Sequence, residues 1–215
     1  MAPRLRRGAL VTLEGGEGSG KSSQAEALAA LMRTHNYTVI LTREPAGTEL
    51  GRTVMATFQQ GVTVTPEAEL LLFEAARAQH VEEVIRPALE RGAVVLCDRY
   101  TDSTLAYQGY GRGLSLDHVR AVNHIATGGL GPHFTILLDV APETGLARKD
   151  RESAFGGDDS IGGESLEFHQ RVRQGFLELA QREPQRIAVV DASPPFDHVT
   201  KAAWQHLQGF LDHII

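Results

Sequence analysis

The stretch ALVTLEGGEGSGKSSQAEALAALM, residues 9–32, decides the fold of this chain. Its first part, Ala9–Glu14, is a largely apolar run of the kind found in strands buried on both faces. A glycine-rich segment follows, and the amphipathic pattern over Ser22–His35 then predicts a helix. A strand, a tight turn and a helix in this order predict the first unit of an α/β domain.

The same alternation continues along the chain. Four more short apolar runs are predicted to be strands, and they lie at Thr38–Thr42, Ala93–Asp98, Thr135–Asp139 and Ile187–Asp191. Amphipathic patterns predict helices at Pro66–Arg91 (two helices, or one bent near Pro87), Ser115–Thr127, Pro142–Arg151, Glu164–Arg182 and Thr200–Ile215. We therefore predict a doubly wound α/β fold, with a five-stranded parallel sheet flanked by helices, in one domain over residues 1–215.

Composition excludes several classes of protein. A chain of 215 residues is long enough to bury a core without disulfides or structural metals. Its 27 acidic and 21 basic residues, a net charge of -6, argue against a protein that binds nucleic-acid polymers. No stretch has the length of a membrane span. The single cysteine, Cys97, fits a reducing compartment, so we expect a cytoplasmic protein.

The glycine-rich segment Gly15–Ser22 matches the pattern G-x-x-x-x-G-K-S between a predicted strand and a predicted helix. Glycines there let backbone N–H groups cradle phosphate oxygens at a helix N-terminus, while Lys21 neutralises their charge and Ser22 can ligate magnesium. The predicted ligand is a nucleoside triphosphate. The residues expected to bind it are Gly15, Gly16, Glu17, Gly18, Ser19, Gly20, Lys21, Ser22 and Ser23.

A second anchor for magnesium is expected where a neighbouring strand ends. Asp98 and Asp139 both qualify, and we favour Asp98 because Arg99 places a cation beside it, whereas Asp139 is interpreted as a helix cap. A switch GTPase would need a guanine-reading N/T-K-x-D segment. Neither Lys149 nor Lys201 supplies one, which weakens that alternative.

Arginines near an aromatic residue point to a second ligand. Phe73 and Arg77 are four residues apart on a predicted helix and so share a face. An aromatic ring beside a planar donor could hold a nucleobase, and Arg43 and Arg99 could bind a monophosphate. The pattern permits a nucleotide acceptor without naming it.

At this point the sequence resembles the bacterial thymidylate kinases nearly end to end. The resemblance rests on LEGGEGSGKS (13–22), TREPAGT (42–48), LLFEAAR (71–77), DRY (98–100) and STLAYQG (103–109), with Ala46 where glycine is usual. It implies transfer of the γ-phosphate of ATP to dTMP, with magnesium, in a homodimer.

The resemblance also implies roles for single residues. Phe73 would stack on thymine and Arg77 would bond the base, while Arg43 and Arg99 would hold the dTMP phosphate. Further substrate contacts would come from Ser103, from Thr104 or Gln108 at the base edge, and from Tyr107 against C2′ of the sugar. Glu17 would approach the acceptor sugar and its phosphate-binding arginine.

One family variant carries a catalytic arginine in the phosphate loop, where this chain has Ser19. The resemblance therefore implies cations from a lid over about 145–163, which contains the glycine-rich segment Ala154–Gly163. The catalytic set is then Lys21, Arg99, Arg148, Arg151 and Glu17, with the order of Arg148, Lys149 and Arg151 left open. Asp158 and Asp159 have no assigned role, and Glu164 is interpreted either as a metal or acceptor contact or as a helix-start carboxylate.

Two alternatives stay open at this stage. One is a kinase of another nucleotide or of a deoxynucleoside, which would show a different acceptor preference. The other is a nucleotide-dependent switch or binding module, which would hydrolyse ATP or GTP slowly and would not need Phe73, Arg77 or Tyr107.

Overall fold

A five-stranded parallel sheet forms the centre of the computed structural model, which describes residues 8–153 and 163–214. The strands are Ala9–Gly15 (β1), Val39–Arg43 (β2), Val94–Asp98 (β3), Phe134–Asp139 (β4) and Ile187–Asp191 (β5). Their order across the sheet is β2-β3-β1-β4-β5. The fold class and all five predicted strands are confirmed, with strand ends within about two residues of the prediction.

Helices cover both faces of this sheet. They are Lys21–Thr34 (α1), Glu49–Gln59 (α2), Pro66–His80 (α3), Arg86–Glu90 (α4), Thr101–Thr104 (α5), Leu116–Thr127 (α6), Pro142–Ser153 (α7), Leu166–Arg182 (α8) and Phe196–Ile214 (α9). Two π-helical segments, Val81–Ile85 and Leu105–Gly111, continue α3 and α5. No helix in the described ranges is both long and apolar enough to cross a membrane.

The predicted irregularity near Pro87 takes the form of a π-helical turn. Pro87 lies in the first turn of α4 and has no N–H to donate, so the regular i to i−4 pattern cannot pass through it. The chain widens into a π turn over Val81–Ile85 and then resumes α geometry.

Neither α2 nor the helical segment over residues 101–111 was predicted from the sequence. The apolar residues of α2 do recur at helical spacing, so this helix could have been predicted, although only Gly51 and Val54 of it are buried. Its start is set by Thr48, whose hydroxyl oxygen accepts a 3.1 Å hydrogen bond from the Gly51 N–H. The second segment is short and contains glycine and π-helical turns, which periodicity for an α-helix does not detect.

The core lies on both faces of β1. On one face α1 and α9 bury Leu28, Met32, Leu207 and Leu211, all at 0% exposure. On the other face the main apolar clusters come from the π-helical turn after α3 and from α8. Burial on both faces explains why the strands are continuous apolar runs rather than alternating ones.

The carboxyl ends of the strands bring the predicted site residues to one edge of the sheet. In the parallel register Asp98 of β3 lies beside Leu13 of β1 and beside Arg43 of β2. A buried ion pair fixes the adjoining α5, because Arg186 donates to both carboxylate oxygens of Asp102 at 2.7 and 2.9 Å. Ligands of open α/β sheets bind at this edge.

Two glycines let the loop after β1 pack directly on the start of α7. Gly18 has φ +61°, and a Cβ atom there would lie 1.9 Å from the Gly145 carbonyl oxygen. A Cβ at Gly145 would lie 2.2 Å from the Glu17 carbonyl oxygen. The two backbones therefore touch, and the loop is held against α7.

We expect Gly51→Ala to lower the free energy of unfolding by about 1–3 kcal/mol, as overpacking does. A Cβ at Gly51 would lie 1.7 Å from the Pro45 carbonyl oxygen, which cannot move without shifting the loop before α2. Urea unfolding measures the change.

The matched control is Gly209→Ala in α9, where a new Cβ would meet no described heavy atom within 4 Å. This change should raise stability by roughly 0.5–1 kcal/mol through helix propensity. Equal effects of the two substitutions would contradict the packing described at Gly51.

Candidate active site

The loop between β1 and α1 has the geometry of an anion cradle. Gly18 and Gly20 have positive φ angles of 61° and 84°, which favour glycine over residues with a side chain. The Lys21 ammonium donates to the Gly16 carbonyl oxygen at 2.7 Å and to Ser19 Oγ at 3.3 Å. Lys21 is only 6% exposed, and burial together with the charge of Arg99 lowers the pKa of Lys21 to about 8.

Ser22 and Asp98, the two predicted metal ligands, meet at this loop. Ser22 Oγ donates a 2.6 Å hydrogen bond to Asp98 Oδ2. The other oxygen, Asp98 Oδ1, is buried and has no hydrogen-bond partner among the described residues. A buried carboxylate oxygen without a partner is costly. A hydroxyl beside such an oxygen suits magnesium, which prefers oxygen ligands.

Asp139, the other candidate, has a different role from the predicted helix cap. Its two oxygens accept hydrogen bonds from Arg173 Nε and Nη2 at 2.7 and 2.8 Å. This bidentate pair joins the end of β4 to α8 and compensates the Asp139 charge. Because Asp139 already pairs with a cation, the structure also favours Asp98, whose Oδ1 has no described partner, as the metal ligand.

The Glu17 side chain joins the loop after β1 to three other parts of the site: the end of β3, the π-helical segment after α5, and α7. Its Oε1 accepts hydrogen bonds from Arg99 Nη2 at 2.8 Å and from the Tyr107 hydroxyl at 2.9 Å. Its Oε2 lies 3.6 Å from Lys149 Nζ. Burial raises the pKa of Glu17, but Arg99, Lys21 and Lys149 together bring it well below its usual range. The Glu17 carboxylate is thus ionised inside an anion-binding loop.

Arg99 reaches Glu17 from a backbone conformation that is rare outside glycine. Its φ is +69°, in the left-handed region. The following residues are held by the buried Glu14, which accepts from the Tyr100 N–H at 2.7 Å and from Ser103 Oγ at 2.5 Å. The Arg99 guanidinium also lies over the Tyr107 ring, 5.1 Å from its centroid. These contacts over-determine the strained position.

Phe73 and Arg77 lie on one face of α3, as predicted. Phe73 is half-buried and stacks on Phe58 of α2, with ring centroids 5.1 Å apart. Arg77 is 3% exposed, and its Nε donates to Glu44 at 2.7 Å. Its Nη1 bonds Glu74, Thr104 and Asn123, and its Nη2 donates to the Tyr100 carbonyl oxygen at 3.1 Å. One Nη2 hydrogen of this anchored guanidinium has no hydrogen bond to the described residues.

The other predicted site residues lie at or after the ends of β1, β2 and β3. Gln108 is 5% exposed and donates through Nε2 to Glu69 Oε1 at 2.8 Å. Ser103 Oγ accepts a long 3.4 Å hydrogen bond from Arg99 Nη1. Arg43 is exposed at the end of β2, and Ser23 is exposed in the first turn of α1.

The three cations of α7 point in different directions. Arg148 donates to the carbonyl oxygens of Ala192 and Ser193 at 2.8 and 3.0 Å, and so holds the loop after β5. The exposed Arg151 donates back to the Ala147 carbonyl oxygen of its own helix at 3.0 Å. Lys149 is the α7 cation that reaches Glu17. Asp158, Asp159 and the other residues of 154–162 in the predicted lid lie outside the described residues.

Several residues of the site were not predicted from the sequence. Phe58 lies on α2, which was not predicted, and Glu14 is hidden at the end of an apolar strand. Lys149 was named from the sequence as one of three possible lid cations, but its contact with Glu17 was not predicted. Arg112 follows the segment that carries Gln108, but its partners Glu69 and Glu164 are distant in the sequence, so this cluster forms only in the fold.

Comparisons with known proteins agree on one family. The family model described as thymidylate kinase matches residues 13–203. The thymidylate kinase of Synechococcus sp. strain JA-2-3B'a(2-13) is 52% identical over 201 residues, which cover 94% of this chain and 95% of that relative. The thymidylate kinase of Deinococcus radiodurans is 50% identical over 201 residues, covering 93% and 96%.

A solved structure agrees as well. The crystal structure of thymidylate kinase from Ehrlichia chaffeensis is similar, with a TM-score of 0.76 and 32% sequence identity. The match covers 94% of this chain and 98% of that one. The likeness therefore extends over nearly the whole of both chains.

Glu14 predicts a pH-dependent stability. Burial, and then the nearby Asp102, raises the pKa of Glu14 from 4.5 to about 8. Between these values the folded protein keeps the proton that the unfolded chain has lost, so the stability of the natural protein falls as pH rises. Glu14→Gln removes this proton linkage. The free energy of unfolding of the variant, relative to the natural protein, should increase from pH 5 to pH 8.

Urea unfolding of both proteins at several pH values checks this. The amide introduced by Glu14→Gln keeps one carbonyl oxygen for the Tyr100 N–H, so the test changes charge more than shape. A stability difference that is constant or shrinks across this range would show that Glu14 is ionised in the folded protein.

Proposed function

Since the chain belongs to the thymidylate kinase family, we propose that its site transfers the γ-phosphoryl group of ATP to the phosphate of dTMP, giving dTDP and ADP. The enzyme is a nucleoside monophosphate kinase, a phosphotransferase. The observation that carries the proposal is the pair of hydrogen bonds from Arg99 and Tyr107 to Glu17. A carboxylate repels phosphate, and its place in a phosphate loop is reasonable if it orients the groups that bind a second substrate.

The donor nucleotide would lie along the loop after β1. The loop N–H groups and the first turn of α1 would bind the ATP phosphates, and Lys21 would neutralise them. The residues proposed for this role are Gly15, Gly16, Glu17, Gly18, Ser19, Gly20, Lys21, Ser22 and Ser23. Ser22 and Asp98 would hold magnesium, which supplies positive charge to the transferring phosphates when bound.

The acceptor nucleotide would lie between β2, α3 and the segment after β3. Arg43 ends β2 and Arg99 follows the end of the adjacent β3, and both would bind the dTMP phosphate. Phe73, supported by Phe58, would stack on thymine. The remaining Nη2 hydrogen of Arg77 would bond the base.

Three more side chains would complete the acceptor pocket. Ser103, Thr104 and Gln108 follow the strand end that carries Arg99 and would contact the substrate at the base edge or sugar. Tyr107, with its hydroxyl fixed on Glu17, would close off C2′ and exclude a ribose hydroxyl.

The reaction itself needs positioning more than proton transfer. A dTMP phosphate oxygen attacks the γ-phosphorus, and the bond to the β,γ-bridging oxygen breaks with its electrons staying on ADP. The attacking phosphate oxygen is already ionised, so no general base is required. Lys21, Arg99, Arg148 and Arg151 are proposed to stabilise the developing charge. Glu17 is proposed to hold Arg99, and Lys149 joins this set through its contact with Glu17.

Three further properties remain proposals. A lid over about 145–163 would bring the α7 cations to ATP, and the α7 helix already packs on the phosphate loop. A homodimer is supported by the family resemblance and by exposed leucines on α2 and α3, Leu50 and Leu71, at 41% and 57% exposure. A cytoplasmic location is supported by the single free cysteine, Cys97.

The first test is ADP release with ATP, magnesium and each of dTMP, dUMP, dCMP, dGMP, UMP and thymidine. We expect a strong preference for dTMP because an aromatic face, anchored donors and two arginines suit a pyrimidine monophosphate. A preference for another acceptor would support the kinase of a different nucleotide. Slow hydrolysis that no acceptor stimulates would support a nucleotide-dependent switch.

Tyr107→Ala tests the sugar selection. Without the ring, ribothymidine monophosphate should become a substrate, and its kcat/KM relative to dTMP should rise by about tenfold or more. Tyr110→Phe is the matched control on the same π-helical segment, because its hydroxyl donates to Glu178 and not to Glu17. An unchanged ratio in Tyr107→Ala would remove Tyr107 from the sugar site.

A further inference from the structure

Arg112 connects three elements around the acceptor site. It follows the π-helical segment that carries Tyr107 and Gln108. Its Nε and Nη2 donate to the two carboxylate oxygens of Glu69 on α3 at 3.1 and 2.9 Å. Its Nη1 donates to Glu164, just before α8, at 2.6 Å. One guanidinium thus joins α3 to the start of α8.

The hydrogen bonds between Arg112 and its charged partners fix the orientation of the Glu69 carboxylate. The Glu69 side chain is 6% exposed and also accepts from Gln108 Nε2, so three donors converge on one carboxylate. Burial lowers the pKa of Arg112, but its hydrogen bonds to Glu69 and Glu164 more than compensate, so this pKa is raised. A forked guanidinium on a carboxylate fixes orientation as well as distance. The Gln108 amide is therefore held by a group that Arg112 itself positions.

Arg112 also stacks against the residue that supports Tyr107. Its Cζ lies 4.9 Å from the Phe168 ring centroid. Phe168 is 5% exposed on α8, and its ring lies 6.2 Å from that of Tyr107. Arg171 of the same helix donates to the Gly111 carbonyl oxygen at 3.0 Å. The turn before Arg112 is therefore held against α8 by two arginines.

We propose that Arg112 is a positioning residue for the acceptor nucleotide, fixing Gln108 through Glu69 and supporting Tyr107 through Phe168 without itself binding substrate. This role rests on the proposed function. The role predicts an effect on the acceptor substrate alone, because two of the three described hydrogen bonds of Arg112 go to Glu69, which also binds Gln108, and none reaches the phosphate loop.

Steady-state kinetics of Arg112→Gln tests the role. The KM for dTMP should rise by about tenfold or more, as when outer partners of a site are removed. The KM for ATP should stay within about twofold, and the kcat/KM of ribothymidine monophosphate relative to dTMP should rise. Arg112→Lys keeps the charge but loses the fork, so it should recover only part of the dTMP affinity.

Arg120→Gln on α6 is the matched control, since Arg120 is paired only with the exposed Asp117 among the described residues. It should leave both KM values unchanged. If Arg112→Gln does not fold by circular dichroism, Glu164→Gln carries the test, because Glu164 is partly exposed and shares only one hydrogen bond with Arg112. That variant should raise the KM for dTMP alone, by a smaller factor.

The outcomes separate this role from the function on which it rests. Parallel increases in both KM values, a fall in kcat alone, or no change would overturn the positioning role while leaving the dTMP kinase intact. A natural protein that does not phosphorylate dTMP would overturn the proposed function, and the role of Arg112 with it.

Discussion

The ion pair between Glu17 and Arg99 is the constraint on which the rest of the site depends. It joins the phosphate loop after β1 to the end of β3, and Tyr107 and Lys149 attach to the same carboxylate. An isolated anion in a phosphate cradle would oppose binding. Because cations surround it, the Glu17 carboxylate instead holds in place the side chains that serve both proposed nucleotide sites.

Holding this pair has a cost in the surrounding structure. Arg99 adopts a left-handed backbone, Lys21 is a buried cation with a lowered pKa, and Glu14 is a buried carboxyl whose pKa is raised. Each departs from what an isolated residue prefers, and such departures concentrate at functional sites. The well-packed strands on both sides of β1 supply the rigidity that keeps them in place.

The sequence predicted what depends on local pattern. The apolar runs indicated the five strands, and G-x-x-x-x-G-K-S between a strand and a helix located the phosphate loop. Asp98 and Asp139 were candidates because strand ends share one edge of a parallel sheet, and Asp98 was preferred because Arg99 follows it. All of these follow from periodicity or from short-range spacing.

What the sequence did not predict depends on contacts between distant residues. Phe58 supports Phe73 only because α2 folds against α3, and the spacing of apolar residues in α2 does not show which helix it packs against. Lys149 reaches Glu17 because two glycines let the phosphate loop and α7 touch. The hydrogen bonds that anchor Arg77 come from separate elements, including Glu44, Thr104 and Asn123. The spacing of residues along the chain does not predict contacts between elements that are distant in the sequence.

The π-helical segment over Leu105–Gly111 has a consequence for how this enzyme can change over evolution. A turn of i to i+5 geometry holds one residue more than an α turn. Loss of a single residue there would restore an ordinary helix and leave the residues beyond it, Arg112 among them, in nearly the same orientation. The same loss from a regular α-helix would rotate everything beyond it by about 100°. The segment is therefore a place where the length of the chain can change by one residue while Arg112 still faces Glu69.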